Sequence, residues 1–372
     1  MTLSTLPIGI TMGDPVGIGP EIIARLFDQG LDTPAVVYGD ANRLQRAIDL
    51  LGLDLLVQPI TWESWPRAKI WTSASAENPS PSNSSASSQG STHARTVPLI
   101  QSGPALSPSL PWGQVDARAG QCAYEAVCLA IDDSKAGRLR AIVTAPLNKQ
   151  AMHAAGVSFP GHTEILAERS GTEHVAMMLA NSELKVLLAT IHVPISEVPK
   201  LITPALALRS IRLAHQACVR AGVAKPKVAV AGLNPHAGEG GKFGREDIDV
   251  IRPAIEKAIG EGIDATGPWP GDTVFMRARR GEFDIVVAQF HDQGLIPIKY
   301  MGVDEGVNVT VGLPFVRTSV DHGTAFDIAG QGKADASSLR CAFELAKQMT
   351  EGNQPKADAQ SETQKRTTQS EK

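Results

Sequence analysis

Three histidines, His192, His236 and His291, each follow a short apolar run of the kind that forms a buried strand: KVLLAT, KVAVAGL and DIVVAQF. Imidazole is the commonest nitrogen ligand for divalent ions. Three such ligands leave further coordination positions open, the arrangement of a catalytic rather than a structural metal site. The intervals of 44 and 55 residues match no short-range metal signature. The same residues therefore also read as three independent loop or capping histidines. Convergence requires that their strands be neighbours. Asp292 and Gln293 follow His291 directly and are placed to orient it.

Lys299, Asn308 and Arg317 come soon afterwards. An amine, an amide and a guanidinium near one site suit a substrate carrying phosphate and carboxylate; the plain alternative is a solvated surface. His162 and Thr163, in PGHTE, are placed to open a helix and present donors at its positive end, or only to cap it. The run MGDPVGIGPE carries Gly13, Gly17 and Gly19 with the spacing G-x-x-x-G-x-G. That is neither the dinucleotide fingerprint nor the Walker loop, so tight-turn glycines are the better reading.

These residues need a scaffold that ends strands close together. Strand-like runs alternate with helical patterns along the chain. Strands are expected at Ile8 to Thr11, Ala35 to Gly39, Leu55 to Ile60, Ala141 to Pro146, Val175 to Ala180 and Lys185 to Thr190. Others are expected at Lys227 to Leu233, Asp284 to Phe290 and Gly306 to Leu313. Helices are expected after Pro20, after Asp40, and at Asp116 to Lys135, Leu201 to Arg220, Arg245 to Gly260 and Ala334 to Met349. The alternation predicts an α/β fold, mostly parallel, with one antiparallel hairpin joined by NSE. Its ligands belong at the carboxyl ends of the strands. From Ser73 to Thr92 nine of twenty residues are serine, which predicts a disordered insertion. The tail from Glu351 to Lys372 has no large apolar residue and reads as solvated.

Composition excludes several function classes. The 372 residues carry 35 Lys+Arg and 39 Asp+Glu, a net charge of −4. That balance gives no basis for nucleic-acid or anionic-membrane binding. No apolar run approaches the ~20 residues of a membrane span, and the N-terminus does not read as a secretory signal. The four cysteines form no CxxC, so buried thiols in a cytoplasmic protein are expected. An enzyme or a binding protein remains.

At the chemistry-bearing segments the sequence resembles the 4-hydroxythreonine-4-phosphate dehydrogenases of vitamin B6 biosynthesis. The carriers are ITMGDPVGIGPEI, TAPLNKQAMHAAGVSFPGHTEILAE, LNPHAGEGGKFGRED and FHDQGLIPIKYMGVDEGVNVTVGLPFVRTSVDHGTAFDIAG. The resemblance runs from Ile8 to about Ala346, broken by the serine-rich insertion. It implies a fold like the isocitrate and isopropylmalate dehydrogenases, with two α/β/α domains and a cleft between them. The expected units are residues 1–140 with 315–350, carrying a disordered insertion at about 73–112, then 141–314, and a disordered tail at 351–372.

The resemblance also implies a divalent ion, zinc, magnesium or cobalt, on His192, His236 and His291. It puts substrate on His162, Thr163, Lys299, Asn308 and Arg317, and implies NAD or NADP as hydride acceptor. It further implies a homodimer whose active site draws on both subunits. The implied reaction oxidises 4-phosphooxy-L-threonine to 2-amino-3-oxo-4-(phosphooxy)butanoate, which loses carbon dioxide to give 3-amino-2-oxopropyl phosphate. Asp272 and Asp292 are candidates for the proton-accepting group and nothing more. Rival readings are a related dehydrogenase of threonate or erythronate 4-phosphate, one of an aromatic-acid cis-dihydrodiol, and a metal- or phosphate-binding protein without turnover.

Overall fold

The computed structural model describes residues 6–65, 95–302 and 306–351. The run Ser73–Thr92 and the tail beyond Glu351 lie outside the described residues. The described chain forms one mixed sheet covered by helices. Its strands are β1 (Ile8–Thr11), β2 (Ala35–Gly39), β3 (Leu55–Pro59), β4 (Arg95–Gln101), β5 (Ala141–Thr144) and β6 (Ala176–Ala180). They continue with β7 (Lys185–Leu188), β8 (Lys227–Ala231), β9 (Asp264–Trp269), β10 (Ile285–Ala288), β11 (Val307–Val311) and β12 (Val316–Val320). The spatial order is β3-β4-β2-β1-β5-β12-β11-β6-β7-β10-β8-β9.

Strands β1, β2 and β5 are buried along their whole length. Burial on both faces is why they read as continuous apolar runs rather than alternating ones. The helices between them start and stop on local chemistry. Asp40 accepts the amide N–H of Arg43, and Gly52 ends that helix in the left-handed conformation. Asp116 caps Ala117–Lys135 and Thr203 caps Pro204–Arg220 in the same way. Cys122, Cys128 and Cys218 are buried. No helix among the described residues is long and apolar enough to cross a membrane.

The α/β class is as expected, but five details differ. Three strand pairs are antiparallel, not one: β6 with β7, β6 with β11, and β11 with β12. The connection from β11 to β12 is too short for a parallel crossover, so it must turn back. Strands β4, β9 and β12 lacked a clear signal. Pro98 interrupts the first, Gly267 and Pro268 the second, and β12 reads VRTSV, buried throughout although three of its five residues are polar. Residues 95–101 pair with β2 and β3, so the expected insertion to 112 runs too far. The proposed second unit likewise starts too early at 141, because β5 lies between β1 and β12. The long helix expected from Arg245 instead opens with a π-turn at Asp247–Ile251, before Arg252–Gly260.

The glycine-rich loop after β1 is a close backbone contact. Gly13 is left-handed (φ 67°), and a Cβ there would fall 2.2 Å from the carbonyl oxygen of Pro146. The neighbouring amide of Asp14 donates to that same oxygen at 2.9 Å. The loop thereby fixes the segment that follows β5 and lines the site described below. Gly13→Ala should cost about 2–4 kcal/mol, from left-handed strain plus a backbone clash. Urea unfolding of the variant checks this; a loss under about 0.5 kcal/mol would show the contact to be slack.

Candidate active site

A cavity of about 340 Å³ opens at the middle of the sheet, lined by parts of both halves. Arg317 of β12 forms its deep wall and is 3% exposed. Its Nη1 donates to the Thr310 hydroxyl at 2.9 Å and its Nη2 to the Thr144 hydroxyl at 2.6 Å. Its Nε has no partner. Burial lowers the guanidinium's pKa, and no carboxylate opposes the shift; arginine is still charged at neutral pH. A buried charge without a counter-charge is costly, so the arrangement makes physical sense as half of an ion pair whose other half is a ligand.

His162 opens the helix His162–Ser170 beside it. Its Nε2 is buried without a partner. Burial, and then the charge of Arg317, hold its pKa well below the usual imidazole range. The ring is therefore neutral and can donate from one nitrogen only. Thr163, Asn308 and His192 line the same cavity. Lys299 does not line it directly. Its Nζ lies 2.9 Å from Oδ2 of Asp321, an ion pair without aligned hydrogen-bond geometry, and Asp321 is part of the cavity wall.

The three histidines follow β7, β8 and β10, which run parallel and are neighbours in the order β7-β10-β8. The condition for convergence on one sheet edge is thus met, yet only two imidazoles come together. The rings of His192 and His291 have centroids 5.8 Å apart, tilted by 42°. Both line a second cavity of about 270 Å³ with Asp292. Oδ1 of Asp292 lies 2.7 Å from Nδ1 of His291. That contact places the proton on Nδ1 and leaves Nε2 as a donor atom for a metal.

His236 stands apart, exposed, with its ring 6.2 Å from that of Phe243. It has φ 50° and opens a left-handed run in the AGEGG turn. Buried Asp247 anchors the start of this loop by accepting the amides of Leu233 at 2.7 Å and Asn234 at 3.1 Å. Among the described residues no three His, Cys, Asp or Glu side chains are grouped to hold a metal ion. The imidazole pair fits two positions on a divalent ion, with the nitrogen chemistry that zinc and cobalt favour; the third is not supplied by His236 where it stands.

Gln293 does not touch His291 in the way expected. Its side chain accepts the amide of Gln289 and donates to the carbonyl of Gly232, so it braces the ends of β10 and β8. Asp292 is occupied with His291, and Asp272 is exposed and lines neither cavity. Sequence reasoning missed Thr144, Thr310 and Asp321, which hold the two cations. Their signal was faint: Thr144 heads TAPLNK and Asp321 lies in SVDHGTA, both at strand ends.

Comparison with known proteins gives the family. The model of the family described as pyridoxal phosphate biosynthetic protein PdxA matches residues 31–346. The chain is 49% identical to a 4-hydroxythreonine-4-phosphate dehydrogenase of Beijerinckia indica, covering 93% of this chain and 96% of that one. It is 43% identical to a D-threonate 4-phosphate dehydrogenase of Cupriavidus necator, covering 89% and 93%. A crystal structure of 4-hydroxythreonine-4-phosphate dehydrogenase from Klebsiella pneumoniae superposes with a TM-score of 0.79 at 39% identity, covering 93% and 99%. With its motifs, fold and length of match in accord, the chain belongs to the PdxA family of dehydrogenases.

Proposed function

We propose that this chain is an NAD(P)- and divalent-metal-dependent dehydrogenase that oxidises 4-phosphooxy-L-threonine to 2-amino-3-oxo-4-(phosphooxy)butanoate, leading to 3-amino-2-oxopropyl phosphate. The observation that carries the reading is the buried Arg317, with no carboxylate partner, in a cavity that also contains one of two paired imidazoles. A substrate with anionic ends and a hydroxyl between them matches that layout. A D-threonate 4-phosphate substrate matches it as well, and relatives with that activity are nearly as similar in sequence. An aromatic cis-dihydrodiol leaves the cations of this site with less to bind.

Arg317 binds an anionic group as a planar fork, held rigid by Thr144 and Thr310. His162 donates one hydrogen bond from its neutral ring, and Thr163 and Asn308 add polar contacts at the wall. Lys299 acts from the rim through its pairing with Asp321. His192 and His291 hold the metal, with Asp292 fixing the ring of His291. His236 is the third ligand, and a homodimer with residues of both subunits in one site accounts for its separation from the pair within a single chain. When bound, the metal supplies Lewis acidity at the substrate's hydroxyl oxygen, and the nicotinamide supplies the hydride acceptor. Oxidation takes hydride from the carbon and a proton from the hydroxyl; the β-keto acid so formed loses carbon dioxide. The setting of this chemistry is the cytoplasm.

The direct test is NADH formation by metal-loaded protein offered 4-phosphooxy-L-threonine or D-threonate 4-phosphate, with and without a chelator. Chelator-sensitive turnover of the amino acid is expected; turnover of the sugar acid alone moves the assignment to the second substrate, and turnover of neither rejects both. Arg317→Met should lower kcat/KM by about 100-fold or more, as a charged anchor inside the cavity is lost. Kinetics unchanged in that variant would remove Arg317 from the site.

His162 also predicts a pH effect on stability. Its folded pKa is depressed, so below about pH 6.5 the unfolded chain binds a proton that the folded chain refuses, and stability falls as pH drops. His162→Gln lacks this contribution. Between pH 8 and pH 5 the wild type should lose up to about 2 kcal/mol more than the variant in urea unfolding. Parallel losses in the two proteins would show that the ring titrates normally.

A further inference from the structure

Two cavities of the site have an assigned chemistry: one holds Arg317 and His162, the other the paired imidazoles. A third, of about 240 Å³, is lined by the helix His162–Ser170 and by β6 and β7. Neither the motifs nor the family resemblance gives it a role. Val175, Met177, Leu188 and Ile191 make its walls aliphatic. Ala167 lies one turn beyond Thr163 and Glu164, so all three share the helix face that borders the space. With Ala176 and Ala189 also in the lining, short side chains keep that space open.

Position gives this cavity its meaning. Thr163, Glu164, Met177 and Ile191 line both it and the Arg317 cavity. Ile191 also lines the cavity of His192 and His291, so the three spaces meet at one side chain. In the reaction a carbon loses hydride while the hydroxyl on that same carbon sits at the metal. The hydride acceptor must therefore touch a substrate that reaches from Arg317 to the imidazole pair, and the third cavity adjoins both. The chain has no dinucleotide fingerprint to fix the acceptor elsewhere.

The lining suits a flat heteroaromatic ring, which is held by apolar walls, few polar groups and the exclusion of water. Thr163 supplies a hydroxyl, and Glu164 a carboxylate at the exposed rim. Arg169, on the same helix, is taken by Asp132, and Glu164 has no ion pair among the described residues. An oxidised nicotinamide is a cation and a reduced one is neutral, so a carboxylate at the rim favours the oxidised ring. We propose that the nicotinamide ring of NAD(P) occupies this cavity, with Glu164 complementing its positive charge. Hydride from the substrate carbon neutralises the ring, and the hydroxyl proton leaves separately. This assignment rests on the chain being a dehydrogenase with its substrate on Arg317 and its metal on the imidazoles.

The test reads cofactor binding rather than turnover, on full-length metal-loaded protein. NADH emission should rise and shift to the blue on binding, as the reduced ring leaves water. Ala167 lines the third cavity but not that of Arg317. Ala167→Leu should therefore weaken NADH binding by about tenfold or more, through overpacking. AMP, which lacks the ring, and D-threonate 4-phosphate without cofactor should bind this variant in calorimetry as they bind wild type. Ala176→Val fills the cavity from the strand side and should act in the same direction, which covers a failure of Ala167→Leu to fold. Glu164→Gln should weaken NAD+ binding by about two- to fivefold and leave NADH binding unchanged. NADH affinity and emission equal to wild type in the folded filling variants overturn the assignment, as does a parallel loss for AMP. A change of oligomeric state with NADH binding intact shows that a second copy of the chain fills the cavity, and overturns it too. Equal effects of Glu164→Gln on both cofactor forms overturn the charge role. A wild type that binds no NADH and oxidises neither phosphorylated acid overturns the dehydrogenase reading itself, and this proposal with it.

Discussion

Arg317 is the constraint around which the site is arranged. A guanidinium buried in a sheet normally meets a carboxylate, because an uncompensated charge is costly to keep from water. Here hydroxyls from β5 and β11 take two of its nitrogens and leave its charge intact. Hydroxyls satisfy hydrogen bonds without neutralising. That requires β12 to run between β5 and β11, which the sheet order provides. It also requires the loop after β5 to hold still, which the contact between the Gly13 loop and Pro146 provides. The cost of the buried charge is local, and a bound anion would relieve it.

The same topology explains why the imidazoles are near one another. Strands β7, β10 and β8 are adjacent and parallel, so their carboxyl ends present three histidines along one edge. Adjacency alone brings only His192 and His291 together. His236 rides on a glycine-rich turn with left-handed backbone at several residues, and the geometry of that turn, not of β8, decides where its ring goes.

Much of this was legible in the amino-acid order. Apolar runs ending in histidine, and the helix opened by His162, were visible because burial and capping leave strong local patterns. The strand that matters most was not. β12 reads VRTSV, with Arg317, Thr318 and Ser319 all buried. A strand whose polar side chains make specific buried contacts loses the apolar signal that betrays a core strand. The threonine pair was hidden for a different reason: Thr144 and Arg317 are 173 positions apart, and only the parallel pairing of β5 with β12 makes them neighbours. Gln293 and Asp292 are adjacent in sequence but act on different partners, a division that local spacing cannot express.

The most direct test of the account is a crystal structure of the protein grown with cobalt and a phosphorylated hydroxy acid, with anomalous scattering used to locate the metal. Cobalt is expected on His192 and His291, and an anionic group of the acid on Arg317 beside His162. Cobalt bound elsewhere, or an Arg317 that stays without an anion while the acid sits in another cavity, would contradict it.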